Sequence, residues 1–349
     1  MSFELKRRPL IAATLGLAIS TIFGGAAAIA QSDMLELTLA TADANINPTT
    51  DSVLRLAGSL GFYEKHGVKV TIIQLEGTPQ AVAALNSGAV DLADISIDSA
   101  IRLRADNDLP IRGIVAGTLG APFLIAAKTE IATVADLVGK SYAIADNGSL
   151  DHSLTQLVLR AEGVDPAGPA YVAIGAPAAR VQALAAGQVD ATTVSYGTFL
   201  PVAETPGIHI LVSPEDFSAA SPGLSKFVAT LDSTIAAKPE ALERFVAALI
   251  DASRSFATDP TPWIAAMHEA RDDLSIENLE KTAAFSTDRW CVNGCLNPAE
   301  LTKAGDFVYA NPDFADVKKI PIDDVVDQSF VIKAIETLGA FEHKGLDVR

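Results

Sequence analysis

The stretch Ala81–Ser99, AVAALNSGAVDLADISIDS, reads as an apolar helix, a glycine-containing turn and a short strand, VDLADIS, that ends in small polar residues. It has a second copy. Ala84-Leu85, Gly88, Val90-Asp91 and Ser96 recur as Ala183-Leu184, Gly187, Val189-Asp190 and Ser195, each match 99 residues further on. That offset is far too long for a solenoid period, so two copies of one helix–turn–strand unit imply two similar α/β lobes.

Working outward, the order of predicted elements supports a mostly parallel, doubly wound sheet in each lobe. Leu35–Thr41, LELTLAT, predicts a first strand, and the loop ADANINPTT leaves its carboxyl end. Ligands of open α/β sheets bind at that end, which makes Thr41, Asp43, Asn45 and Asn47 candidate contacts, although Asn-Pro and Asp also suit a simple turn. Gly77 and Thr78 open the next helix, with Pro79 in its first turn and backbone N–H groups facing whatever fills the cleft; a bare structural cap fits the same residues. The strand Val90–Ile95 delivers Ser96, Asp98 and Ser99 to the same side, and its copy delivers Ser195 and Tyr196. Tyr196 reads either as an aromatic wall or as cover for the domain edge.

Several function classes are excluded or weakened by composition. The chain has 349 residues, 49% hydrophobic and 6% aromatic, with a formal net charge of −17. Nucleic-acid binding needs clustered Lys and Arg to neutralise phosphates, and no segment supplies them. No G-x-G-x-x-G follows a strand, and no cofactor is expected. A G-x-S-x-G elbow, a H-E-x-x-H helix and a close Cys–His pairing are all missing, and His66, His152, His209, His268 and His343 are scattered. Asp146 and Asp151 read as loop or capping residues before they read as paired carboxylates.

The N-terminus has the form of an export signal. Lys6-Arg7-Arg8 precede the apolar run Leu10–Ile22, and Ala28-Ile29-Ala30 matches a small-residue cleavage site. The expectation is a cleavable signal peptide over residues 1–30 and a periplasmic mature chain of about −19 charge; a retained anchor is the alternative. Cys291 and Cys295, the only cysteines, then read as a local disulfide that shapes a turn, with zinc as the weaker alternative because no His lies nearby.

Four segments carry a family resemblance. Gly61-Phe62-Tyr63-Glu64-Lys65-His66-Gly67 running into Val68–Leu75 resembles the "G-[FY]-[FY]-x-x-x-G-[LV]-x-V" segment of solute-binding proteins of ABC transporters. Gly67 also suits a helix end on its own account. Phe123–Lys128 followed by Asp136-Leu137, Gly139-Lys140 and Ser141–Ala145 matches the family's "D-L-x-G-K" pattern, and Asn147-Gly148-Ser149 resembles its "G-S" ligand loop opening a helix. The repeat RVQALAAGQVDATTVS completes the lobe. In order, these segments are similar to the nitrate, sulfonate and taurine, or thiamine-precursor, group.

The resemblance implies the type II periplasmic-binding-protein-like fold. A first lobe over residues 31–119 and 224–349, with C-terminal helices packed against it, and a second over 120–223 would be joined by two crossings, with Gly120 at the first. It implies a monomer that captures a small molecule by hinge closure and delivers it to permease subunits in the inner membrane, without catalysis. An exported or thiamine-pathway enzyme on the same fold, or a sensor's binding module, is the alternative. The candidate pocket loops hold Asp43, Asp98, Asp146 and Asp151 and no Arg, which points to a neutral or cationic ligand.

Overall fold

The computed structural model describes residues 34–75, 77–220, 223–345 and 347, so the signal-peptide reading and Ser221-Pro222 lie outside the described residues. Among them, no helix is long and apolar enough to cross a membrane.

The strands are β1 (Leu35–Thr41), β2 (Val68–Gln74), β3 (Leu92–Ser96), β4 (Ile111–Val115), β5 (Phe123–Lys128), β6 (Ser141–Ile144), β7 (Ala170–Ala173), β8 (Ala191–Ser195), β9 (Ile208–Val212) and β10 (Lys226–Leu231). They form two five-stranded sheets, ordered β2-β1-β3-β10-β4 and β7-β6-β8-β5-β9. In the first sheet β10 runs antiparallel to both neighbours, and in the second β5 does the same. The remaining pairings, β1 with β2 and β3 and β6 with β7 and β8, are parallel. The two antiparallel strands are the ones that arrive by a crossing from the other lobe.

Burial explains the composition of the strands. β3 and β8 are buried along their whole length, because parallel central strands are covered by helices on both faces. The edge strands β2 and β7 are mostly exposed, and β2 alternates accordingly in VKVTIIQ.

The 99-residue repeat is structural. Helices Thr78–Asn86 and Pro177–Ala185 precede β3 and β8 at identical offsets, each with Pro in its first turn. Both end at a glycine in the left-handed region, Gly88 at φ 73° and Gly187 at φ 73°. There the N–H of Ala89 reaches back to the Ala84 carbonyl, and that of Gln188 to the Ala183 carbonyl, which closes both helices with the same wrap. Asp91 and Asp190 then tie each turn to the sheet. The Asp91 carboxylate accepts from Thr38 N and Oγ1 at 2.9 and 3.0 Å, and Asp190 accepts from Ser141 N and Oγ at 3.0 and 2.8 Å.

The C-terminal part is helical. The helix Pro239–Thr258 buries Leu242, Phe245, Leu249 and Phe256 in the first core, beside Trp263 and Trp290. Two of its details differ from the sequence reading. The segment read as a return crossing into the first lobe at residue 224 is, from Lys226 to Leu231, a strand of the first sheet, β10. A helix not foreseen, Pro298–Ala310, is capped by the Asn297 side chain on Glu300 N, and its Phe307 packs against the second lobe instead of the first.

Cys291 and Cys295 are bonded to each other. Their loop grips the first crossing: Leu119 N donates to Arg289 O at 2.8 Å, Ala116 N to Gly294 O at 3.2 Å, and Thr118 bridges Trp290. Cys295 sits at φ 60°, and its N–H and that of Asn293 both donate to the Asp347 carboxylate, at 3.2 and 2.6 Å.

Candidate functional site

Carboxyl ends of both sheets face one another across a cavity of about 350 Å³. From the first lobe it is walled by Asp43, Thr50, Gly77, Thr78, Gln80, Ser99 and Lys226. From the second come Phe123, the loop Asp146–Asp151, Arg180, Ser195 and Thr198. Its size lies at the lower end of the roughly 300–1,000 Å³ typical of small-ligand sites.

Of the residues expected from sequence, Asp43, Gly77, Thr78, Ser99, Asn147, Gly148, Ser149 and Ser195 stand on this wall. The others stand elsewhere for physical reasons. Thr41 is wholly buried at the end of β1, its hydroxyl 3.5 Å from the Asp43 carbonyl. Ser96 is wholly buried and donates to Ser99 Oγ at 2.9 Å. Asp98, one residue into a helix, turns away into a void of about 20 Å³ lined also by Leu150, Ser153, Phe307 and Phe314. Asn45 lies on a separate cleft with Arg271 and Asp273, and Gly120 lies in the first crossing, on a small polar pocket with Asp94 and Lys226. Tyr196 sits against Phe285, ring centroids 6.1 Å apart, which is the edge-covering alternative.

Two cations on the wall were not foreseen. Arg180, in the helix Pro177–Ala185, is almost fully buried; it donates to Gly175 O at 2.5 Å and Thr193 O at 3.2 Å and lies 3.6 Å from Asp151. Burial lowers its pKa, opposed by Asp151 and Asp43. The only hint in sequence is an Arg inside the apolar run AARVQALA. Lys226 opens β10 and lies 3.4 Å from Asp94. Burial disfavours its ammonium, yet Asp94, Asp43 and Asp51 together raise its pKa. The candidate loops hold no Arg, but the helix Pro177–Ala185 brings one to the cavity wall.

The Asn147-Gly148-Ser149 loop spends its N–H groups internally. Asn147 N donates to Asp146 Oδ1 at 2.7 Å, Gly148 N to His152 Nδ1 at 3.0 Å, and Ser149 N to Asp146 O at 3.1 Å. Asp151 fills the field of the following helix, accepting from Ala145 N at 2.9 Å and Ser149 Oγ at 2.8 Å.

A clasp joins the lobes beside the cavity. Asn47 Nδ2 donates to Ser195 Oγ at 2.8 Å and Thr198 Oγ1 at 3.0 Å, and Gly197 N donates to Thr49 Oγ1 at 3.3 Å. Asn47 is held in place from its own lobe, its Oδ1 accepting from Thr49 N and its N donating to Asp51 Oδ1 at 2.6 Å. The Asp51 carboxyl is pushed well above its ordinary range by burial and by the neighbouring Asp43. At Gly197 a Cβ would lie 2.6 Å from Asn47 Oδ1 and 2.7 Å from Pro48 Cγ, so no side chain fits between the lobes there.

Comparison with known proteins is consistent with this architecture. Residues 52–262 match the family model described as NMT1/THI5 like. The chain belongs to that family. Relatives of the NMT1/THI5 like chain include candidate binding proteins of Brucella abortus and Brucella suis, 28% identical over 202 residues, which are 58% of this chain and 61% of each relative. The match thus spans about three fifths of the length of those relatives. Among solved structures, the alkanesulfonate-binding protein SsuA of Xanthomonas axonopodis superposes with a TM-score of 0.67 at 21% identity, over 84% of this chain and 98% of that one. The periplasmic nitrate-binding protein NrtA of Synechocystis gives 0.69 at 14% identity, over 88% and 90%. A chain from Bordetella bronchiseptica gives 0.71 at 16%, over 88% and 99%. At these identities the likeness fixes the fold of this NMT1/THI5 like chain, the two-lobed type II binding-protein fold.

Proposed function

We propose that this chain is the periplasmic solute-binding component of an ABC importer, a monomer that closes two lobes around a small polar solute and presents the closed form to membrane permease subunits. The observation that carries the reading is the interlobe cavity, walled by side chains of both lobes and bordered by hydrogen bonds that exist only when the lobes meet. A solute touching both walls stabilises the closed arrangement over the open one, which is the thermodynamic content of hinge closure. The hinge of this reading is the pair of crossings, the first through residues 116–122 and the second into β10.

Enzymatic action is not part of this reading. Among the described residues no His, Cys or Glu lines the cavity. The relatives' names point the same way. Release of the solute carried by protein purified from its native compartment, followed by mass spectrometry, tests the proposal. One small molecule in near-equimolar amount is expected; conversion of that molecule to a product on incubation with fresh protein would overturn it.

A further inference from the structure

The charged groups of the cavity are unequally satisfied. Both cations face carboxylates, Lys226 with Asp94 at 3.4 Å and Arg180 with Asp151 at 3.6 Å; Arg180 also donates to the Gly175 and Thr193 carbonyls, while its Nε has no hydrogen-bond partner among the described residues. The N–H groups of the Asn147–Ser149 loop, the other anion-binding feature of the wall, are bonded to Asp146 and His152. Asp43 differs. Its carboxylate accepts from the Thr50 hydroxyl at 3.2 Å and makes no ion pair among the described residues, while half-buried in the first-lobe wall. Behind it stand Asp51, paired with Arg55 at 3.3 Å, and Asp94. Asp146 adds a further negative charge at the mouth.

An anion entering this cavity would compete with Asp151 for Arg180 and with Asp94 for Lys226 and would meet Asp43 as well. A cation meets Asp43 and Asp146, wall carboxylates that make no ion pair among the described residues, in surroundings where charge–charge interactions are stronger than in water. Resting on the solute-capture reading above, we infer that the solute carries a protonated amine or amidinium group seated against Asp43. The neutral polar wall, Thr78, Ser99, Asn147 and Ser149, then takes the remainder of a compact molecule.

Thermal-shift and calorimetric titration of the protein with putrescine, agmatine and benzamidine, against methanesulfonate and nitrate as anions and glycerol and ribose as neutral solutes, tests the inference. The expected result is saturable stabilisation by at least one cationic probe, weakened at least tenfold by Asp43→Asn. Asp43→Asn should leave the melting temperature of the free protein within a few degrees, since it removes repulsion with Asp51 and Asp94; Asp43→Ser reads the same contact should the amide not fold. Saturable binding of an anionic or neutral probe with no response to the cations overturns the charge assignment and leaves solute capture standing. Cation binding indifferent to both Asp43 variants overturns the role of Asp43. Silence from all three sets counts against solute capture and removes this inference with it.

Discussion

Asp91 and Asp190 show what a repeated residue is for. Each follows a glycine turn and receives the N–H and hydroxyl of a residue on the adjacent strand, and each faces a lysine, Lys238 at 2.7 Å and Lys128 at 2.7 Å. The hydrogen bond from Lys128, with those of Ser141, holds the Asp190 carboxyl down to about 2, below its ordinary range. The sign follows from that depression: the stabilisation is fully present above about pH 4 and is lost as pH falls through about 2. Asp190→Asn should cost at most about 1–2 kcal/mol at pH 6, allowing for solvent screening, with the deficit shrinking toward zero in acid; urea midpoints of both proteins between pH 6 and 2 measure it. These aspartates were legible because they lie within one local repeat. Arg180 was not, since its importance comes from the Gly175 and Thr193 carbonyls and Asp151, which neighbour it only in the folded lobe. Asp98 misled for a related reason: a helix begins one residue before it, and a step along a helix turns a side chain by about 100°, away from the cavity that Ser99 lines.

At the scale of elements, strand identity and order were readable from hydrophobic runs bounded by turn residues, while the strand that returns was readable only in part. Lys226 pairs with Asp94 across 132 positions of chain, a distance over which no periodicity carries information. The helix Pro298–Ala310 had a legible start, Asn297-Pro298, but a weakly patterned face, because Phe307 turns to the second lobe and the rest to the first. The disulfide loop illustrates a local link with a distant effect. In the chain-entropy picture a loop this short contributes about 2 kcal/mol, yet it also holds Cys295 in a left-handed conformation and fixes the N–H and carbonyl groups that grip the first crossing. The double variant Cys291→Ser, Cys295→Ser should therefore melt a few degrees lower and show faster amide exchange at Ala116 and Leu119 than over the second sheet. Uniform exchange rates in the two regions would deny the brace.

Across the whole molecule the lobes meet on two sides of the cavity, at the Asn47 clasp and at the seam where Asp98 and Ser153 face Phe307 and Phe314. Burial raises the Asp98 pKa, opposed by the Ser96 hydroxyl, the Ser99 N–H and Arg102. A raised carboxyl favours the buried arrangement when protonated, so its contribution to closure is complete below about pH 4 and lost as pH rises through the raised value. Solution scattering across a pH titration should find the molecule more compact on the acid side than on the alkaline side, with Asp98→Asn compact throughout; an unchanged pH response in that variant would assign the effect to other groups. Asn47→Ala removes the carboxamide from the clasp and should weaken solute binding by about 1–3 kcal/mol, measured by calorimetry.

Gly197 gives closure a mechanical stop. At Gly197 the backbone of one lobe lies against the Asn47 and Pro48 side chains of the other with no room for a Cβ, so the approach there ends at a separation set by the protein and not by whatever lies inside. The closed chamber is then a gauge of constant bore. Under the proposed capture, a solute that fits would be enclosed with every clasp bond made, whereas one a little too large would wedge the halves apart and break the bonds of Asn47 and Thr49 together. Discrimination by size becomes a threshold rather than a slope. Gly197→Val, by wedging the halves from outside, should make the native solute behave as an oversized one: at least a tenfold loss of affinity and a larger radius of gyration, with the melting of each lobe little changed.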